Sequence, residues 1–303
     1  MNSRIGVLLK IMAALCATLM LACVKGLNGE IPTGEVVFFR SFIALFPLLI
    51  WLRYQGNMLQ SIKTKNIFGH LIRGFSGTGG MYFNYMALIY ISLADATAIG
   101  YAAPLFTVVM AVILLKENVR LYRWLSVIVG FSGILIMLSA HLNIGKSTAD
   151  AASALGVIFA LLAALCSATS SVQIRFLTGK ENPGAIVLYF SLMTMCIGLA
   201  SALFGWRMPT PPQLALLIGC GFFGGMAQIL MTLSLRYADA SLLAPFEYTT
   251  LVWSMLIGYC FLGSIPSATT VVGAAIVAGA GIFTVWCERQ QRKIPGGRLT
   301  SRG

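Results

Sequence analysis

Charge and histidine are what this sequence has least of. Only 10% of its 303 residues are charged while 58% are hydrophobic, against about 25% charged in ordinary globular chains, so polar side chains are too few to cover a water-soluble core. The acidic residues number 9 and the histidines 2, His70 and His141. Beyond Arg40 and Glu247 the apolar stretches hold no cluster of Asp, His or Ser groups of the kind an enzyme requires. The 7 cysteines are scattered without CxxC spacing, which argues against a disulfide framework or a thiolate metal site. Gly77-Thr78-Gly79-Gly80 lacks the lysine and the strand-to-helix setting of a phosphate loop, so no nucleotide cofactor is expected. The net charge of +12 does not point to nucleic acid, because the basic residues flank apolar segments.

What is present is a series of apolar runs of about 20 residues, the length that crosses a hydrocarbon core of about 30 Å. Ten are found, at 5–28, 33–52, 67–92, 95–115, 120–139, 153–178, 184–205, 212–235, 239–262 and 267–287. Turn-forming residues separate them, among them Asn28-Gly29, Gly56-Asn57, Asn182-Pro183-Gly184 and Pro211-Pro212. With the N-terminus inside, only Lys25, Lys146 and Arg207 fall on the outer side and Arg40 falls within the second segment. The other 17 of the 21 basic residues fall on the inner side (21 − 4 = 17). Such a bias is the positive-inside signature. The expectation is a multi-pass protein of a cell inner membrane, with both termini cytoplasmic and the lipid bilayer as its surroundings.

The chain also resembles itself. At an offset of 150, Ala13-Ala14-Leu15-Cys16 matches Ala163-Ala164-Leu165-Cys166, and Ser41 matches Ser191; at an offset of 144, Gly80-Met81 meets Gly225-Met226 (here 145), Asn84 meets Gln228, and Ala94-Asp95-Ala96 meets Ala238-Asp239-Ala240. The first segment, with Arg4, Lys10 and the run ending Leu21-Ala22-Cys23, looks like a secretory or lipoprotein signal. Its twin in mid-chain, where no signal peptidase acts, argues against that. The expected fold is an all-α membrane protein of ten transmembrane helices in two inverted five-helix repeats, 1–145 and 150–288, followed by a basic cytoplasmic tail, 289–303. Five is an odd number, so the second repeat enters the membrane from the opposite side, as in alternating-access carriers.

Several segments carry a resemblance to the EamA-type members of the drug/metabolite transporter superfamily. They are Glu35-Val36-Val37-Phe38-Phe39-Arg40, Ala94-Asp95-Ala96-Thr97 running on to Ala103-Pro104-Leu105, Lys116-Glu117-Asn118, and Asp239 through Tyr248. The resemblance covers essentially the whole chain. It implies a secondary transporter of small organic metabolites, first an exporter of amino acids or amino-acid-like compounds, with uptake or exchange of S-adenosylmethionine, riboflavin or similar metabolites as the alternative. Proton coupling, through a titrating carboxylate such as Glu247, and a homodimer are further expectations.

Six residues are candidates for holding the small-molecule substrate: Arg40, Asn84, Tyr101, Gln228, Glu247 and Tyr248. Arg40 lies seven residues, about 10 Å, below the outer end of its segment, and Glu247 eight residues, about 12 Å, above the inner end of its own. Intramembrane charges need partners or water, so Arg40 reads either as a carboxylate anchor or as a structural arginine, and Glu247 as an amine anchor, a proton site, a partner of Arg40 or a structural carboxylate. Asn84 and Gln228 occupy equivalent repeat positions behind the glycine stripes Gly77/Gly80 and Gly221/Gly224, and suit either a cavity wall or helix packing. Tyr101 and Tyr248 neighbour Pro104 and Pro245, where the proline opens the helix.

Overall fold

The computed structural model describes residues 3–54, 56, 64, 66–115, 121–141, 148–178, 181, 183–237, 243–263 and 267–293. Lys116-Glu117-Asn118, Lys146, Asp239 and the tail beyond Lys293 lie outside them. The helices are α1 (Ser3–Gly26), α2 (Thr33–Tyr54), α3 (Ile67–Tyr90), α4 (Leu93–Gly100), α5 (Ala102–Leu115), α6 (Leu121–His141), α7 (Thr148–Thr178), α8 (Pro183–Ala200), α9 (Pro211–Tyr237), α10 (Thr249–Leu262) and α11 (Ala268–Lys293). Among the described residues there is no strand.

Local chemistry sets the boundaries. After α1 the chain turns through Asn28 and Gly29, both at positive φ, conformations that Asn and Gly tolerate best. Asn66 caps α3 by accepting from the Gly69 amide (2.9 Å), and Ser92 caps α4 by accepting from the Asp95 amide (3.1 Å) while donating to its carboxylate (2.6 Å). The fourth segment is not one helix. It breaks at Tyr101, three residues before Pro104, whose ring crowds the carbonyl of Gly100 one turn back. The ninth opens with a 3₁₀ turn, Ala244–Tyr248, around Pro245 before α10 begins. The last helix continues to Lys293, so the start of the expected tail is helical.

Among the described residues six spans are long and apolar enough to cross a membrane: Arg4–Gly26, Thr33–Tyr54, Leu93–Met110, Ala151–Ile174, Gly184–Phe204 and Pro211–Met231. Shorter apolar helices occupy Trp124–Ile136, Phe246–Leu262 and Ala268–Phe283. The remaining long helix, α3, carries His70, Arg73, Asn84 and the glycines at 69, 74, 77, 79 and 80. Large apolar side chains face outward, Leu8, Phe75 and Ile128 among them, whereas Glu35, Arg40, Ser41, His70, Arg73 and Thr194 are buried. That inverts a soluble protein's distribution and matches a lipid-facing surface. The chain is a multi-pass membrane protein.

Packing is symmetric under exchange of the chain's two halves. Helix α1 lies on α9 as α3 lies on α7; α5 meets α7 as α10 meets α1; α2 pairs with α8, and α6 with α11. Glycines allow the closest approaches. A Cβ on Gly198 would sit 2.7 Å from the Phe38 backbone nitrogen, and one on Gly80 2.9 Å from Ser167 Oγ.

Side-chain contacts sort the helix ends into two faces. On one, Lys25 donates to the Leu88 and Ile91 carbonyls (2.7 and 3.0 Å), Gln213 donates to Glu30 (2.6 Å), and Thr270 donates to Asp95 (2.5 Å). On the other, which holds the start of α1, Lys10 meets Glu247, and Glu181 accepts from Thr64 Oγ1 (3.0 Å) and the Asn66 amide (2.9 Å).

Candidate functional site

A cavity of about 790 Å³ opens between these helices. Its wall takes Lys10, Ala13, Ala14, Ala17 and Met20 from α1, Arg40 from α2, Arg73 from α3, Tyr101 from the α4–α5 break, Ile174 from α7, Ile186 and Val187 from α8, Gly224, Ala227, Gln228 and Met231 from α9, and Glu247 and Thr250 from the start of the ninth segment. Both halves contribute. Lys10, Arg73, Ile174, Ile186, Met231 and Glu247 all lie within about two turns of the helix ends on the face that carries the start of α1. Toward the opposite face, Leu27, Ile31, Val36, Leu88, Leu93 and Leu217 pack into one buried apolar cluster. The cavity is therefore a pouch on one side of the helix bundle, sealed from the other.

Its charged groups are unevenly matched. Lys10 Nζ lies 2.6 Å from Glu247 Oε1; the lysine is 5% exposed and the carboxylate side chain 49%. Lys10 also contacts the Met231 sulfur (2.8 Å). Arg40 is buried beside Gly224, where a Cβ would come within 3.1 Å of its Nε. Arg73 is buried with its guanidinium carbon 3.9 Å from the centre of the Phe190 ring, a cation–π contact. Its Nη1 occupies the space a Cβ on Gly77 would fill.

The two broken segments meet at Tyr101. Its hydroxyl donates to the Glu247 carbonyl (3.2 Å), accepts from the Leu251 amide (3.1 Å) and is hydrogen-bonded to Thr250 Oγ1. Thr250 Oγ1 lies 2.5 Å from the same carbonyl, so the two hydroxyl protons are shared among three contacts. Backbone groups at the end of the 3₁₀ turn thus find partners in a tyrosine from the other half. The Tyr248 ring packs against the Tyr101 ring (4.9 Å), and its hydroxyl lies where Gly281 of α11 has no side chain.

Of the six residues singled out from sequence, the structure brings Arg40, Tyr101, Gln228 and Glu247 to the cavity wall. Tyr248 stands behind Tyr101, and Asn84, half-buried on α3, is not among the wall residues. The carboxylate of Glu247 pairs with Lys10 rather than Arg40. Lys10 and Arg73 also stand on the wall, although in the sequence they sit where inner-side flanking charges do. The signal that could have found them is depth, since each lies about two turns inside its helix.

The EamA-like transporter family model matches residues 4–139 and again 154–286. The S-adenosylmethionine uptake transporter of Rickettsia prowazekii is 29% identical over 266 residues, covering 88% of this chain and 87% of that protein. The pseudopaline exporter CntI of Pseudomonas aeruginosa is 26% identical over 279 residues, 91% and 94% of the two chains. The riboflavin transporter of Vibrio cholerae is 28% identical over 266 residues, 87% and 86%. One solved crystal structure superposes with a TM-score of 0.67 at 18% identity, over 94% of this chain and 98% of its own, and shares the fold. This chain belongs to the EamA-like transporter family, and it is a transporter rather than an enzyme.

Proposed function

We propose that the protein is a secondary carrier of amino-acid-like metabolites, working by alternating access between two inverted five-helix repeats, 1–145 and 150–288. The observation that carries this reading is the cavity, walled by both halves and holding charges of both signs, Arg40 from one half and Glu247 from the other. A zwitterion set between them would meet the arginine with its carboxylate and compete with Lys10 for Glu247. The twofold match to one family model and the exchange symmetry of helix packing support the repeat reading. The pouch open on one side and sealed on the other suits one end state of an alternating-access cycle. We place the protein in the cell inner membrane with cytoplasmic termini, on the strength of the basic-residue bias, so the pouch faces the cytoplasm. That end state is common to importers and exporters, and the likeness to the family, which includes a relative named as an exporter, makes export the first direction to test.

A second reading is favoured by size. At about 790 Å³ the cavity falls in the range of about 300–1,000 Å³ typical of pockets for drug-sized ligands, larger than a bare amino acid requires. That favours a nucleoside- or vitamin-sized metabolite, in keeping with the relatives named for S-adenosylmethionine and riboflavin, for which uptake or exchange is the direction to test. A thermal-shift screen of purified protein against amino acids, nucleosides and vitamins, followed by counterflow in proteoliposomes, tests both. A carrier exchanges labelled for unlabelled substrate, and a protein that binds none of them and shows no counterflow contradicts the proposal.

A further inference from the structure

Among the described residues three cationic side chains and one carboxylate line the cavity, and the Lys10–Glu247 pair leaves both arginines without an acidic partner among those wall residues. Arg40 is 7% exposed and Arg73 9%, yet Arg40 Nε, Arg73 Nε and Arg73 Nη1 have no hydrogen-bond partner among the described residues. Buried donors left unpaired are costly, charged ones most of all.

Both are held in place by the fold rather than left mobile. Arg73 rests on the Phe190 ring with its Nη1 in the space that Gly77 leaves, and Arg40 Nε sits in the space beside Gly224. At the repeat offset of 150, Arg40 corresponds to Phe190 (190 − 40 = 150), so equivalent positions each present a guanidinium to the cavity, one directly and one through the ring beneath it. Arg40 lies about 10 Å from one face along α2 and Arg73 about 9 Å from the other along α3. In a core of about 30 Å that leaves about 10 Å of height between their backbones, a gap two arginine side chains and one small anionic group can span.

We propose that Arg40 and Arg73 together form an oxyanion subsite, and that the transported metabolite presents a carboxylate or phosphate group to it. The arrangement selects substrates whose acidic groups outnumber or equal their basic ones. This rests on the cavity being the substrate site.

The test uses the purified full-length protein at constant ionic strength, with succinate and inorganic phosphate as anionic probes and succinamide and putrescine as neutral and cationic ones. A ligand that binds the native state raises its unfolding temperature. We expect a concentration-dependent rise of several degrees with succinate or phosphate and none with succinamide or putrescine. Which of the two anions acts more strongly separates carboxylate from phosphate. Arg40→Gln and Arg73→Gln should each weaken anion binding about 10-fold to 100-fold, the range for losing a charge-assisted bidentate contact; Arg53→Gln, at the exposed end of α2, should leave it unchanged. Should either glutamine variant not fold, Arg40→Lys and Arg73→Lys keep the charge but lose the fork geometry, and should still weaken binding about tenfold. The subsite is overturned if putrescine or succinamide stabilises the protein as well as succinate does, if no probe anion stabilises it, or if all foldable arginine variants bind anions like the wild type. Counterflow of a neutral or cationic metabolite, unaltered by these variants, likewise removes the subsite while leaving the carrier reading intact. Anion-specific stabilisation without any counterflow does the reverse.

Discussion

The ammonium of Lys10, in the first helix, lies 2.6 Å from the carboxylate of Glu247, beside the 3₁₀ turn that opens the ninth segment. The two partners differ in environment: Lys10 is almost wholly enclosed, whereas about half of Glu247 is exposed to the cavity. Removing one member is therefore not equivalent to removing the other. Glu247→Gln strands a buried ammonium and should destabilise the protein by about 3 kcal/mol. Lys10→Met leaves a carboxylate that cavity water can solvate and should cost about 1 kcal/mol or less. Thermal unfolding of the two purified variants measures the difference, and equal losses would contradict this account.

Transport should separate them differently. If a substrate amine competes with Lys10 for Glu247, then Lys10→Met strengthens substrate binding, while Glu247→Gln abolishes counterflow or reduces it at least tenfold. Arg40→Gln combined with Glu247→Gln should lose less than the sum of the single effects, because both act on one bound molecule. Additive losses would place the two residues in separate roles.

Much of this arrangement is legible in the sequence, and the parts that are not share one cause. Apolar length and basic-residue bias locate the segments, and Pro104 and Pro245 mark where helices depart from regular geometry. Depth follows from counting residues, so Arg40 and Glu247 could be named before their surroundings were known. Azimuth does not follow. In the 3₁₀ turn successive side chains advance by about 120° rather than 100°, and Glu247 and Thr250, three residues apart, both reach the cavity while Tyr248 between them turns toward α11. Asn84 has the depth and repeat position of Gln228 but not its place on the wall. Lys10 and Arg73 were hidden in another way: basic residues near a helix end resemble interface anchors, and only the packing of α9 and Phe190 against them reveals that they point inward.

Tyr101 should matter more for its hydroxyl than for its ring. Tyr101→Phe keeps the contact with Tyr248 but removes an acceptor from the Leu251 amide and a donor to the Glu247 carbonyl. The Glu247 carbonyl keeps its bond from Thr250, but the Leu251 amide loses its acceptor at a partly buried break, which should lower stability by about 1 kcal/mol, seen as a lower unfolding temperature. Because the hydroxyl braces the backbone that carries Glu247, counterflow should fall as well; unchanged transport would make the contact dispensable.

Two glycine substitutions should fail for different reasons. An alanine at Gly198 would meet the Phe38 backbone at 2.7–2.8 Å, so α2 and α8 must separate, and the variant should lose stability at the level of an overpacked core, about 1–3 kcal/mol. An alanine at Gly77 would meet Arg73 Nη1 and, at 2.7 Å, the Phe190 ring, two side chains rather than the backbone of a neighbouring helix. Gly77→Ala should therefore unfold closer to the wild-type temperature while losing anion-dependent stabilisation. If the two variants differ only in degree of unfolding, the glycine at 77 serves packing alone.

The last prediction concerns which way the pouch opens. Its wall residues Lys10, Arg73 and Glu247 lie toward the face that holds the start of α1, Arg40 lies deeper, and the opposite face is closed by apolar packing and by the contact of Thr270 with Asp95, which joins α11 to α4 across the two halves. A cysteine at Ala17 on the cavity wall, in a variant whose native cysteines are replaced, should react with a membrane-impermeant thiol reagent applied from the face of the N-terminus, and slowly from the other. Thr270→Val removes the hydroxyl that holds Asp95 and weakens the seal without altering the cavity. If the protein alternates between two end states, this substitution shifts the population toward opening on the far face, and labelling from that side should quicken while labelling from the N-terminal side slows. The shift is bounded by the worth of the lost hydrogen bond, about 1–3 kcal/mol with a charged acceptor, or roughly 5-fold to 150-fold in the ratio of the two states. Equal labelling from both sides in the parent would describe a channel rather than a carrier, and a parent labelled only from the far face would reverse the orientation of the pouch.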